Sequence, residues 1–230
     1  MNKLPFAPKG RRGIPDELIR FGRHLVYSEG TRTEPNYVKN IRARIGAKYA
    51  CEPNKIDIIP VTEDETRNTV GLVNYAIDDV QRRLANGEKI DHVWVMFDKD
   101  DFSHFEEAHK KIEKLNNSKT LNVERLHYNT KNNIVWHSCW SNESFELWLC
   151  LYFCYYQSAS KRTEYINYLK NNGIDYKKNL PNIHDILVEK GGSLENAIKY
   201  AKKLEEANGI DNPSTGMYKF AEYFIGYMKK

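Results

Sequence analysis

The run His92-Val93-Trp94-Val95-Met96-Phe97-Asp98-Lys99-Asp100 and its earlier counterpart His24-Leu25-Val26-Tyr27-Ser28-Glu29-Gly30 decide the fold. Each is a short stretch of β-branched, aromatic and aliphatic residues that stops at carboxylates and is followed by a helical pattern. An apolar run without polar alternation describes a strand covered on both faces, the condition of a parallel sheet between helices. Ligands of such sheets gather beyond the carboxyl ends of the strands. If the two strands are neighbours, Glu29, Asp98 and Asp100 meet in one crevice, where carboxylates repel unless a cation sits between them. All-oxygen donors suit a hard divalent ion, so a Mg²⁺ or Mn²⁺ site is expected. Each stretch also has a plainer reading, Glu29-Gly30 as a turn and Asp98-Lys99-Asp100-Asp101 as a solvated loop that caps the next helix.

Working outward, Thr33 is placed to cap a helix that has Pro35 in its first turn and runs to about Arg44. Ile56 to Val61 reads as a second strand, and Val73, Ile77, Val80 and Leu84 share one face of the helix after it. A helix from about Ser103 to Leu115 buries Phe105, Ala108, Ile112 and Leu115, and Asn133 to Trp140 reads as a fourth strand. Ser141-Asn142-Glu143-Ser144 then starts a helix, Phe145 to Phe153, that is apolar nearly all round except for Glu146. A buried carboxylate must find a cation or lie at the helix end that faces the crevice, beside Glu29 and the two aspartates. A capping role, reaching back toward Asn142 or Ser144, places it at the same end of the sheet. From about 159 onward the pattern is amphipathic helix, and Asn212-Pro213-Ser214-Thr215 opens a last helix with Phe220, Phe224 and Tyr227 on one face.

Three segments are expected: a basic extended arm (1–23), an α/β domain (24–156) and a helical C-terminal region packed on it (157–230). The 230 residues carry a net charge of +4, and no stretch approaches the ~18 apolar residues a membrane helix needs. Met1 to Arg23 has no apolar core of a secretory signal, so a cytoplasmic protein with no membrane partner is expected. That arm concentrates positive charge, and Arg11, Arg12 and Arg23, with Arg32 in the turn after the first strand, are candidate nucleic-acid contacts. Cys51, Cys139, Cys150 and Cys154 lack paired metal spacing and read as free thiols. His24, His92 and His137, inside strand runs, read as packed or surface groups before catalytic ones. No GxxxxGK[ST] or GxGxxG occurs, which argues against a P-loop ATPase and a Rossmann dehydrogenase.

The order of pieces resembles the RloB family, prokaryotic proteins with a Toprim-like fold that are associated with defence against phage. The resemblance rests on Val26 to Tyr37, which contains Glu29-Gly30-Thr31-Arg32-Thr33-Glu34-Pro35, on Phe97 to Asp101, on Ser141 to Leu149, and on Asn212 to Thr215. It implies a mostly parallel central sheet flanked by helices, with Glu29 as general base or metal ligand, Asp98 and Asp100 as the metal pair, and Glu146 as a further catalytic acid. Glu34, Glu143 and Ser141 are secondary candidates. Glu143 stands where the family often has Pro, and Tyr152 where it often has a His.

Metal-assisted phosphodiester hydrolysis is the implied chemistry, acting on RNA, tRNA among the candidates, or on DNA, in an antiphage effector. The alternative from a different class is a non-hydrolytic module that holds Mg²⁺ with a nucleotide or nucleic acid and recruits a partner. A regulatory partner protein and a homodimer through the apolar C-terminal helices complete the expected partners.

Overall fold

A computed structural model describes residues 21–45, 55–61, 69–100, 104–117 and 134–228. Within them, strands β1 (His24–Ser28), β2 (Ile56–Ile59), β3 (His92–Asp98), β4 (Val135–Asn142) and β5 (Ser214–Thr215) form one sheet in the order β2-β1-β3-β4-β5. The first four are parallel, and β5 adds antiparallel to β4. The chain leaves β1 for β2 on one side, then crosses back to β3 on the other. Strand order therefore reverses between β1 and β3, and a crevice opens at such a switch point.

The helices are α1 (Thr33–Ala43), α2 (Thr69–Ala85), α3 (Phe105–Asn117), α4 (Glu146–Cys150), α5 (Arg162–Asn171), α6 (Ile183–Glu189), α7 (Leu194–Asn208) and α8 (Tyr218–Ile225). Alternation along the strands divides the core into two layers. Val26, Trp94, Met96 and Cys139 join α1, α4, α7 and α8 on one face, while Leu25, Tyr27, Val93, Val95 and Phe97 join α2 and α3 on the other. Both faces being covered, the strand runs are continuously apolar, as the sequence suggests. Among the described residues no helix is long and apolar enough to cross a membrane. Cys139 and Cys150 are buried free thiols and Cys154 is a half-buried one, while Cys51 lies outside the described residues.

Four expectations change. β4 continues through Ser141 and Asn142, expected to start a helix, because their backbones pair with Thr215 and Ser214. The mostly helical segment beyond 157 thus also supplies the fifth strand. Asn212 to Thr215 does not open the last helix, which begins at Tyr218. Thr215 instead donates its hydroxyl to the Trp140 carbonyl (2.9 Å), and Gly216 N–H donates to the same oxygen (2.9 Å). A Cβ at Gly216 would stand 2.5 Å from the Trp140 ring, so this crossing needs glycine. The helix after β4 is regular only from Glu146 to Cys150, although its residues are buried as expected. Finally, Thr33 does not cap α1 and donates to the Lys178 carbonyl instead (2.9 Å). With Asn36 donating to the Asn179 carbonyl (3.2 Å), that bond ties the 178–179 loop to the first turn of α1.

Candidate active site

Parallel register sets Ser28 beside Met96 and Asp98 beside Ser141, so β1, β3 and β4 end together. Glu29 follows β1, and its N–H donates to the Met96 carbonyl (3.0 Å). Asp98 is the last residue of β3. The loop beyond it is tied to the end of β4, with Lys99 N–H donating to the Ser141 carbonyl (2.8 Å) and Asp100 N–H to the Glu143 carbonyl (3.0 Å). Asp100 has φ of 34°, in the left-handed region that aspartate tolerates better than most residues. Glu146 is the first residue of α4, and Glu34 lies in the first turn of α1, where an acid favours the helix dipole.

These five carboxylates, Glu29, Glu34, Asp98, Asp100 and Glu146, line a single cavity of about 450 Å³ together with Arg32, Arg162 and Lys178. Gly30 makes room for one of them, because a Cβ there would run into the Glu34 carboxylate. Glu146 is almost fully buried. Its Oε1 accepts from the Tyr176 hydroxyl (2.8 Å) and its Oε2 from Arg162 Nε (3.3 Å). It thus faces the crevice and pairs with a cation, and it makes no capping bond. The same guanidinium donates through Nη2 to Asp98 Oδ2 (2.8 Å) and Asp100 Oδ2 (3.0 Å).

One guanidinium does not balance this much negative charge. Burial pushes Glu29 up to about 7, with the Asp100 charge adding and the Asp98 N–H and Arg162 opposing. Burial also raises Glu34 to about 7, helped by the charges of Glu146 and Glu29. Asp98 is raised well above 3.8, first by burial and then by Glu34 and Glu146, despite its bond to Arg162. Arg162 is held firmly protonated, since Glu146, Asp98 and Asp100 outweigh the cost of burying it. Among the described residues, no group of three His, Cys, Asp or Glu side chains is gathered closely enough to hold a metal ion as they stand, and three of these carboxylates turn to Arg162 instead. The donor chemistry nevertheless fits Mg²⁺ or Mn²⁺, being all carboxylate oxygen with more negative charge than the lining cations offset.

The remaining sequence candidates lie elsewhere. Ser141 is fully buried against β5, its hydroxyl 3.1 Å from that of Thr215, and it does not line the cavity. Glu143 pairs with Lys161 (3.0 Å), also outside the lining. Arg32 lines the cavity, but Arg23 precedes β1 at the opposite end of the sheet, where Asp57 (2.7 Å) and Glu88 (2.9 Å) hold its guanidinium. Arg11, Arg12 and the arm up to residue 20 lie outside the described residues. Tyr152 is buried in the core, bonded to Tyr37 (2.9 Å) and His184 (2.9 Å), so the departure from the family pattern there does not touch the cavity.

His24, His92 and His137 gather at the amino ends of the strands, stacked with Trp94, whose ring centre is 3.6 Å from that of His137. Burial lowers His24 to about 3 and His92 to about 4, and His137 well below its usual value. They are neutral packing groups near neutral pH, at the pole opposite the acids.

Sequence reasoning missed Arg162, Tyr176 and Lys178. One signal was available for the first. A basic residue at the start of a helix opposes the dipole, so an Arg at the first position of α5 invites a search for a carboxylate partner outside that helix.

A family model described as RloB-like protein matches residues 24–223, from the first residue of β1 into α8. No curated protein and no solved structure matches the chain.

Proposed function

On the premise that the chain belongs to the RloB-like family, we propose that it is a Mg²⁺- or Mn²⁺-dependent nuclease, hydrolysing phosphodiester bonds of RNA or DNA as an effector of antiphage defence. The observation that carries this reading is the convergence of five carboxylates, from three separate parts of the chain, in one cavity at the β1/β3 switch point. Asp98 and Asp100 would hold the ion, which when bound lowers the pKa of an attacking water and neutralises the departing oxygen. Glu29, poised near neutrality by burial, takes the proton of that water. Arg32 and Lys178, at the cavity wall, attract and orient the phosphate. Tyr176 holds Glu146, keeping its carboxylate aimed into the cavity.

The test is hydrolysis of RNA pools, tRNA included, and DNA pools with Mg²⁺ or Mn²⁺, comparing wild type with Glu29→Ala and Asp98→Ala. Loss of cleavage by about 10²-fold or more in both variants is expected. The bridge made by Arg162 favours a second reading, because it satisfies three carboxylates without an ion. In that case the chain is a non-hydrolytic module, and nucleic-acid binding retained without cleavage identifies it. The defence role predicts that expression is toxic, at least under phage infection, and that Asp98→Ala relieves it. Growth that is the same for both versions under infection refutes it.

A further inference from the structure

We propose that Arg162 is an exchangeable internal counter-ion: it holds Asp98, Asp100 and Glu146 in the metal-free cavity, and a divalent cation displaces it toward the phosphate of the nucleic acid. The proposal rests on the nuclease reading of the same site. Its basis is the competition built into the geometry. Nη2 reaches Asp98 (2.8 Å) and Asp100 (3.0 Å), the two aspartates assigned to the ion, and Nε reaches Glu146 (3.3 Å). Guanidinium and metal therefore want the same oxygens.

Three features make the guanidinium able to leave. Both aspartate bonds fall on one nitrogen and involve one oxygen of each carboxylate, so neither is the two-pronged pair in which Arg binds a carboxylate most firmly. Nη1 makes no hydrogen bond among the described residues, which leaves two donors for an incoming phosphate. The side chain is 28% exposed, and it starts at the first residue of α5, where the dipole repels rather than retains a cation. Glu146 does not depend on Arg162 alone, because Tyr176 holds its other oxygen. Once a doubly charged ion sits between Asp98 and Asp100, the guanidinium beside it is repelled. Arg32 and Lys178 line the same cavity, so a phosphate held there would offset the charge of the freed guanidinium.

The experiment titrates the full-length chain with Mn²⁺ alone, by calorimetry and by the loss of the free-ion electron-spin signal. It compares wild type, Arg162→Gln and Arg162→Lys, and then measures oligonucleotide affinity of the Mn²⁺-loaded proteins by fluorescence anisotropy before cleavage. Arg162→Gln should bind Mn²⁺ more tightly by on the order of tenfold and the oligonucleotide more weakly by a similar factor. Arg162→Lys should gain less, because a lysine ammonium remains as a competitor without the planar fork. If Arg162→Gln fails to fold, a gain in Mn²⁺ affinity by Arg162→Lys supports the exchange, and none overturns it. Mn²⁺ affinity equal to or weaker than wild type in folded Arg162→Gln overturns the exchange while leaving the metal-dependent reading intact. Failure of every version, wild type included, to take up Mn²⁺ overturns both.

Discussion

Replacing Glu34 with Gln removes one buried carboxylate while keeping its size. Glu34 is 5% exposed and raised from 4.5 to about 7. A carboxyl raised on folding binds its proton more tightly in the folded chain. Its stabilising contribution is complete below 4.5 and is lost as the pH climbs through about 7. Above that range the wild type carries a destabilising ionised group worth on the order of 3 kcal/mol. This is a ceiling, because part of the shift comes from the Glu146 and Glu29 charges, and Glu29 is itself raised to about 7. Glu34→Gln should therefore match wild type near about pH 4.5 and be more stable by up to about 3 kcal/mol at about pH 8. At roughly 2–4 °C per kcal/mol for a chain of this size, the melting temperature rises by about 6–12 °C. The assay is urea or thermal unfolding with a chelator across that range, repeated with saturating Mn²⁺, which should shrink the difference by neutralising the cluster in wild type. A variant no more stable than wild type at about pH 8, or a difference that does not grow with pH, refutes the reasoning.

Gly30→Ala should cost about 1–3 kcal/mol, since its Cβ meets the Glu34 carboxylate. Adding Glu34→Ala should recover most of that loss, and additive losses in the four-protein cycle would show that the two sites do not touch. Tyr176→Phe removes the donor to buried Glu146 (2.8 Å) and should cost about 1.5–3 kcal/mol in chemical denaturation. On the proposed nuclease reading it should also lower turnover, and unchanged turnover would separate Glu146 from the chemistry.

Fold class was legible because the strands are short and apolar on both faces, and the acids that end them interrupt the pattern sharply. Glu29, Asp98 and Asp100 were legible for the same reason, each being a charge at the end of an apolar run, and Glu146 was legible as the single acid inside one. The ends of elements were less so. Ser141 and Asn142 look like a helix start, and Asn212 to Thr215 looks like another. Ser141, Asn142, Ser214 and Thr215 are strand residues because each segment supplies the hydrogen-bonding partner of the other, some 70 residues away, and local preference carries no information about that pairing.

By itself the amino-acid order determined a parallel sheet with carboxylates at its strand ends, since hydrophobic periodicity and a change of polarity are local properties of the chain. Only the tertiary structure decided which charges share a space. It set Glu34 among the acids, turned Glu143 to Lys161, moved the three histidines and Arg23 to the far pole, and brought Arg162 from α5 into the middle of the cluster. The physical reason is that Coulomb energy and desolvation depend on distance and burial, and both are fixed by the packing of segments that the sequence keeps far apart.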